Sequence, residues 1–177
     1  LSLPRQLSLG ADGMLYQQPA PELTALRSSH RHFRGTVHPG DTNPLAGIQG
    51  QALEILVELN SSGAESVALD VAAAPDGSEV TTVRYSRVAR RLSIDRSRSN
   101  VEPDAPHDLR SIPLVVGSQE VLRLHLFLDA STLEVYAHGQ VLTSRIYPRA
   151  ASTGVAFSVS GGSVGGTLDV WTLDSIW

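Results

Sequence analysis

Apolar and polar residues alternate over short stretches along nearly the whole chain, and turn-forming residues separate the stretches. A period of two places successive side chains on opposite faces of an extended backbone, so the pattern predicts β-structure. Leu53, Ile55, Val57 and Leu59 share one face of a first segment, and Val67, Leu69, Val71 and Ala73 one face of a second. Asn60-Ser61-Ser62-Gly63 between them reads as a turn, from which the two strands are expected to pair antiparallel. Pro75-Asp76-Gly77 ends the second strand, with Ala72-Ala73-Ala74 before it as the main ambiguity, and residues 80–85 and 91–94 are weaker strand candidates.

The clearest pattern runs over residues 121–148. Leu122, Leu124, Leu126 and Leu128 alternate with Arg123, His125 and Phe127; residues 129–132 turn; Leu133, Val135 and Ala137 resume; His138-Gly139 turns again, and Leu142, Ser144 and Ile146 continue. This predicts a three-stranded meander. A two-residue loop at His138-Gly139 sets Ala137 opposite Gln140, Val135 opposite Leu142 and Glu134 opposite Thr143, leaving Glu134, Tyr136, Thr143 and Arg145 on the outer face. Residues 154–159 and 167–173 are further strands, and Gly161-Gly162-Ser163-Val164-Gly165-Gly166 between them reads as a flexible hairpin loop. The only persuasive helix is a short one near residues 21–26, with Pro21 in its first turn. The expected fold is all-β: a two-sheet antiparallel β-sandwich of jelly-roll or concanavalin-like type with at most one short helix. No 20- to 50-residue repeat points to a solenoid or propeller.

Composition narrows the chemistry. With 177 residues, 41% hydrophobic and 18% charged, the chain suits one globular domain with a real core. Zero cysteines exclude disulfides, Cys-based zinc sites and thiol catalysis. Net charge is −4 and every basic residue is Arg, dispersed apart from a cluster between Arg84 and Arg98, so nucleic acid is not an expected partner. No apolar run approaches the roughly 20 residues that cross a bilayer, and no membrane partner is expected. His30, His32 and His38 lie in an Arg-rich stretch without a carboxylate before Asp41, and read as part of a solvated strand or loop; no metal and no cofactor is expected. No Gly-x-Ser-x-Gly elbow or phosphate loop is present.

Several segments carry a resemblance: Leu3-Pro4-Arg5-Gln6-Leu7-Ser8-Leu9 with Asp12-Gly13-Met14-Leu15; Pro21-Glu22-Leu23 through Leu26-Arg27; and Leu92-Ser93-Ile94-Asp95-Arg96-Ser97-Arg98-Ser99. Most specific is Leu126-Phe127-Leu128-Asp129-Ala130-Ser131-Thr132-Leu133-Glu134-Val135-Tyr136, continued by Leu142-Thr143-Ser144-Arg145-Ile146-Tyr147-Pro148, with Asp169-Val170-Trp171-Thr172-Leu173-Asp174-Ser175-Ile176-Trp177 at the end. In order and spacing they resemble the C-terminal module of family 32 glycoside hydrolases, the invertases, inulinases and levanases. Asn100 stands where a Gly often follows the Asp-Arg-Ser segment, and residues 101–107 are acidic and Pro-rich and supply no Phe, Tyr or Trp for a sugar contact.

The resemblance implies that residues 1–27 are a propeller-exit segment with the first strands, and residues 28–177 the remainder of the same sandwich. It implies a parent whose catalytic carboxylates sit in an N-terminal propeller, within Asn-Asp-Pro-Asn-Gly-like and Glu-Cys-like motifs; neither occurs here. Asp129 and Glu134 flank a turn, which suits a surface role better than a pair held about 5 Å apart for retaining hydrolysis. No catalytic residue, and no enzyme on its own, is expected. The start of the chain fits a fragment cut at the interdomain boundary of a bacterial enzyme that is secreted or held at the cell surface.

Two functions follow from the resemblance. One is binding of fructan (levan or inulin) or fructose, as in the related family 66 carbohydrate-binding modules. Asp95, Arg96, Asp129 and Glu134 would then hold vicinal hydroxyls, and Tyr136 or Trp171 would stack on the ring. The other is a structural role, stabilising the catalytic propeller or dimerising the parent. Under it Asp129 and Ser131 cap a turn, Glu134 pairs with Arg145, Asp95-Arg96 fixes a loop, Trp171 and Trp177 are core or interface residues, and Glu22 and Arg27 brace the two domains. An exposed acidic and Arg pocket beside an aromatic favours binding; a broad apolar patch around residues 1–26 favours bracing.

Overall fold

The computed structural model describes residues 2–175; Leu1, Ile176 and Trp177 lie outside them. The strands are β1 (Arg5–Leu9), β2 (Leu15–Pro19), β3 (Arg27–Val37), β4 (Ala52–Asn60), β5 (Ser66–Ala73), β6 (Val80–Ser86), β7 (Arg91–Arg98), β8 (Leu109–Pro113), β9 (Leu122–Asp129), β10 (Thr132–Ala137), β11 (Gln140–Arg145), β12 (Gly154–Ser160) and β13 (Val164–Leu173). They form a six-stranded sheet in the order β11-β10-β9-β4-β13-β3, a five-stranded sheet β12-β5-β6-β7-β8, and a separate β1-β2 hairpin. All pairings are antiparallel. The fold is the expected antiparallel sandwich; the segment Pro21–Leu26 is 3-10 rather than α-helical.

The larger sheets close over one apolar core. Leu53, Ile55, Val57 and Leu59 of β4 and Leu122, Leu124, Leu126 and Leu128 of β9 meet Val67, Leu69 and Val71 of β5 within it, all of them buried. Each such side chain contributes about 1.5–3 kcal/mol by leaving water, so this layer dominates stability. β4 and β5 do not pair, against the sequence expectation. They belong to opposite sheets, joined by a 3-10 turn at Ser61–Gly63, and their apolar faces meet across the core instead of their edges across a hairpin. The glycine-rich stretch is likewise no hairpin loop: β12 and β13 also lie in different sheets, and Gly165 and Gly166 are already in β13. Gly162, at φ +135°, makes the crossover possible, since a Cβ there would collide with the Gly63 carbonyl.

The meander has the expected register, with Ala137 opposite Gln140, Val135 opposite Leu142 and Glu134 opposite Thr143. His138 and Gly139 both have positive φ, as a two-residue turn matching strand twist requires. β3 forms a long edge strand; its polar, largely exposed sequence carries no apolar alternation to announce it.

Candidate functional site

Antiparallel register aligns the outward residues of the six-stranded sheet in rows. Going from edge to edge, the first row is His30, Trp171, Glu54, Phe127, Glu134 and Thr143; the second is His32, Asp169, Leu56, His125, Tyr136 and Val141. A third row, Arg34, Thr167, Glu58 and Arg123, lies one pleat further on. This face is polar in sequence, yet its centre is buried. The segment that precedes β3 folds back over it, so that Leu23 packs with Phe127 and Tyr136, alongside Leu3, Leu26, Val141 and Leu173.

Two carboxylates under this cover hold it in place. Glu134, 0% exposed, accepts hydrogen bonds from Arg5 Nη2 at 3.0 Å, the Leu3 amide at 3.2 Å and the Tyr136 hydroxyl at 2.6 Å. Arg5 Nη2 also donates to Thr143 Oγ1 at 3.2 Å. Glu54, 1% exposed, receives Arg27 Nε at 2.8 Å, Arg27 Nη2 at 2.5 Å and His125 Nε2 at 2.6 Å. Burial opposes ionisation of Glu54, but the hydrogen bonds from Arg27 and His125 outweigh it, and its carboxyl is held below the ordinary range. Burial, reinforced by the bond to Glu134, pushes the Tyr136 phenol well above its usual value. Buried charges with this much pairing fix geometry: Glu134 ties the entry segment to the sheet, and Glu54 fastens the first residue of β3, where that segment ends, to β4 and β9.

The β1-β2 hairpin continues beyond those ties. The Gln17 amide donates to the Gly139 carbonyl at 2.7 Å, and the Tyr16 ring occupies the space a Cβ at Gly139 would need. Leu7, Leu9 and Leu15 lie on one face of the hairpin by alternation and register, with Met14 in its turn; they are 62, 76, 55 and 63% exposed. Between this hairpin and the third row lies an open groove of about 1080 Å³, walled by Gln17, Gln18 and His138 and floored by Arg34, Glu58 and Arg123.

The five proposed sugar-contact residues are not brought together. Glu134 and Tyr136 adjoin, but Glu134 is committed to Arg5 and the entry segment rather than to Arg145, whose guanidinium lies 5.4 Å from the centre of the Tyr147 ring. The sequence placed Glu134 on the correct face without knowing that residues distant in the chain would cover it. Arg96 is buried, pairing with Asp108 just before β8 and donating to the Arg145 carbonyl at 2.6 Å, whereas Asp95 accepts from the Ser97 amide at 2.9 Å within β7. Asp129 is exposed at the β9–β10 turn, and only Tyr136 of the five lines the groove. Trp171 is not in the core: its ring stacks with His30 at 4.6 Å on the outer face, and the Arg27 guanidinium sits 3.9 Å from its centre. Arg27 is bonded to Glu54 within the sandwich itself, and Glu22 is exposed on the 3-10 segment.

Sequence reasoning missed Arg5, Glu54 and Asp169. Glu54 left one trace, a carboxylate inside an otherwise apolar stretch from Ala52 to Val57. Asp169 joins His30 and His32: His30 Nε2 and His32 Nδ1 each lie 2.7 Å from its Oδ1.

Known proteins match the chain along almost its entire length. The family described as "Glycosyl hydrolases family 32 C terminal" matches residues 22–172. A levanase of Bacillus subtilis is 30% identical over 186 residues, covering 99% of this chain and 27% of the levanase. A sucrose-6-phosphate hydrolase of Zymomonas mobilis is 30% identical over 186 residues, covering 98% of this chain and 34% of that protein. The crystal structure of an exo-inulinase from Aspergillus awamori superposes with a TM-score of 0.86 at 23% identity, over 99% of this chain and 36% of that one, and so bears out the fold. The chain thus spans about a third or less of the length of the curated relatives it matches.

Proposed function

Since this chain belongs to the C-terminal domain family of the family 32 glycosyl hydrolases, we propose that it is the non-catalytic module of a fructan- or sucrose-cleaving enzyme and that its task is to dock on the catalytic module. The carrying observation is the apolar face of the β1-β2 hairpin, Leu7, Leu9 and Leu15 beside Met14, held out in water by a base that Arg5 and Glu134 clamp. Exposed apolar side chains gathered on one rigid element suit an interface, because isolated domains seldom leave them uncovered. On this reading residues 1–27 are the arm that meets the propeller, and the sandwich is the base that holds the arm. A polymeric fructan does not enter a cell intact, so a parent acting on levan or inulin would work outside the cell or at its surface.

In the complete enzyme carrying this module, Leu7→Ser, Leu9→Ser and Leu15→Ser together should split one cooperative melting transition into two. A single, unshifted transition would overturn the docking reading. The isolated chain should release no fructose from sucrose, inulin or levan.

The groove supports a second reading, fructan or fructose binding. Its floor alternates Arg34, Glu58 and Arg123, charges that can donate to and accept from neighbouring hydroxyls, with Tyr136 at one side. Calorimetric titration of the chain with levan, inulin and fructose decides it: heat that disappears in Arg123→Ala supports this reading, and no heat with any of the three removes it.

A further inference from the structure

We propose that His30, His32 and Asp169 form a binding site for a borderline transition-metal ion, Zn²⁺ foremost, which clips edge strand β3 to its neighbour β13. Alternation puts His30 and His32 on one face of β3, and the antiparallel register sets Asp169 directly opposite His32 and Trp171 opposite His30. Three donor atoms therefore converge, His30 Nε2, His32 Nδ1 and Asp169 Oδ1, all within 4.8 Å of one another. Tetrahedral zinc with bonds of about 2.0–2.2 Å separates its ligand atoms by roughly 3.4 Å. The two 2.7 Å approaches to Asp169 need open by about 0.7 Å to admit the ion.

The set of two imidazoles and one carboxylate favours zinc, nickel, cobalt or copper over calcium and magnesium, which prefer oxygen ligands throughout. Both histidines are close to half exposed, so the ion has a path in and water can complete its coordination. Trp171, stacked against His30 with only 4° between the ring planes, restrains that imidazole before any ion arrives. Arg27, whose guanidinium lies over the Trp171 ring, already has its Nε and Nη2 engaged by Glu54. An ion here would link strands whose facing residues are 137 and 139 positions apart in sequence, a connection that fastens the sheet edge.

Tag-free chain, stripped with chelator and then titrated with ZnCl₂, should bind one equivalent. Loading should raise its melting temperature by about 5–10 °C at a hundredfold excess over Kd. CoCl₂ should give visible d–d absorption from the bound ion. His32→Gln and Asp169→Asn, both at positions where the fold tolerates a polar side chain of similar size, should each weaken zinc at least tenfold and abolish the thermal shift. His38→Ala should leave both unchanged. No stoichiometric binding by the unmodified chain, or equal binding by Asp169→Asn and by the His30→Gln/His32→Gln double variant, would overturn the site.

Discussion

The inner face of the six-stranded sheet and the centre of its outer face are both buried, by opposite means. The inner face is apolar throughout β4 and β9 and closes over the facing sheet, the solution that alternation encodes directly. The outer face buries carboxylates, Glu54 and Glu134, by folding a preceding segment back over them and supplying Arg5, Arg27, His125 and Tyr136 as partners. The inner face provides most of the stability; the outer face provides position, because hydrogen-bonded charges have a narrow geometry and apolar contacts a broad one.

The first way to break this contrast is in the core. Leu126→Ala should destabilise the chain by about 3 kcal/mol, measured by urea unfolding, since it removes buried methyl groups between two sheets that cannot collapse to fill the gap. The outer face answers differently to the same treatment. Glu134→Leu should cost about 1–3 kcal/mol by stranding Arg5 and the Tyr136 hydroxyl, and adding Arg5→Met should recover part of that loss. A core double variant would show no such recovery. If Arg5→Met makes Glu134→Leu worse by its full independent cost, the clamp carries no coupling and the contrast fails.

Much of the inner face was legible because alternation says which way a side chain points. The meander from β9 to β11 came out with its register, fixed by Ala137, His138, Gly139 and Gln140. Alternation does not say which strand is the neighbour, and so β4 and β5, each with an unambiguous apolar face, were placed side by side when they face one another. Edge strand β3 turns only Phe33 and Val37 toward the core, too few to leave a signal. The outer face was harder for the same reason: Glu134 was assigned outward, correctly, but its burial depends on Leu3 and Arg5, 131 and 129 residues away. His30 and His32 were noticed, while the carboxylate between them comes from Asp169, far along the chain.

Titration separates the faces further: among the described residues of the six-stranded sheet the buried ionisable groups Glu54, Glu134 and Tyr136 all stand on the outer face, while the core holds the phenol of Tyr85 from the facing sheet. Glu54 has a lowered pKa, so its contribution is complete above the unfolded carboxylate value of about 4.3 and is lost as pH falls through its own lower value. Glu54→Gln should therefore flatten the acid limb of a stability profile. Tyr136 has a raised pKa; its contribution is whole below the free phenol value of about 10 and is lost as pH climbs from there toward its own. Tyr136→Phe should reduce alkaline sensitivity and leave the acid limb unchanged. Leu126→Ala should lower the whole profile without altering its shape. A change of shape in that core variant would mean that the two faces are not independent.

The smallest effect on folding should come from the element that reaches past both faces. Leu7, Leu9 and Leu15 contact too little of the sandwich to stabilise it, so replacing all three by Ser should change unfolding free energy by no more than about 0.5 kcal/mol. Their consequence lies in association. As concentration rises, the unmodified chain should gain apparent mass in light scattering, because an uncovered apolar strip finds another copy. The triple Ser variant should stay at constant mass over the same range. Equal mass curves for the two proteins would mean that the hairpin face is content in water, and the sandwich would then lack its clearest docking surface. A large loss of stability in the Ser variant would place those leucines in the fold itself, and the division of labour between apolar core, ionic clamp and protruding arm would have to be redrawn.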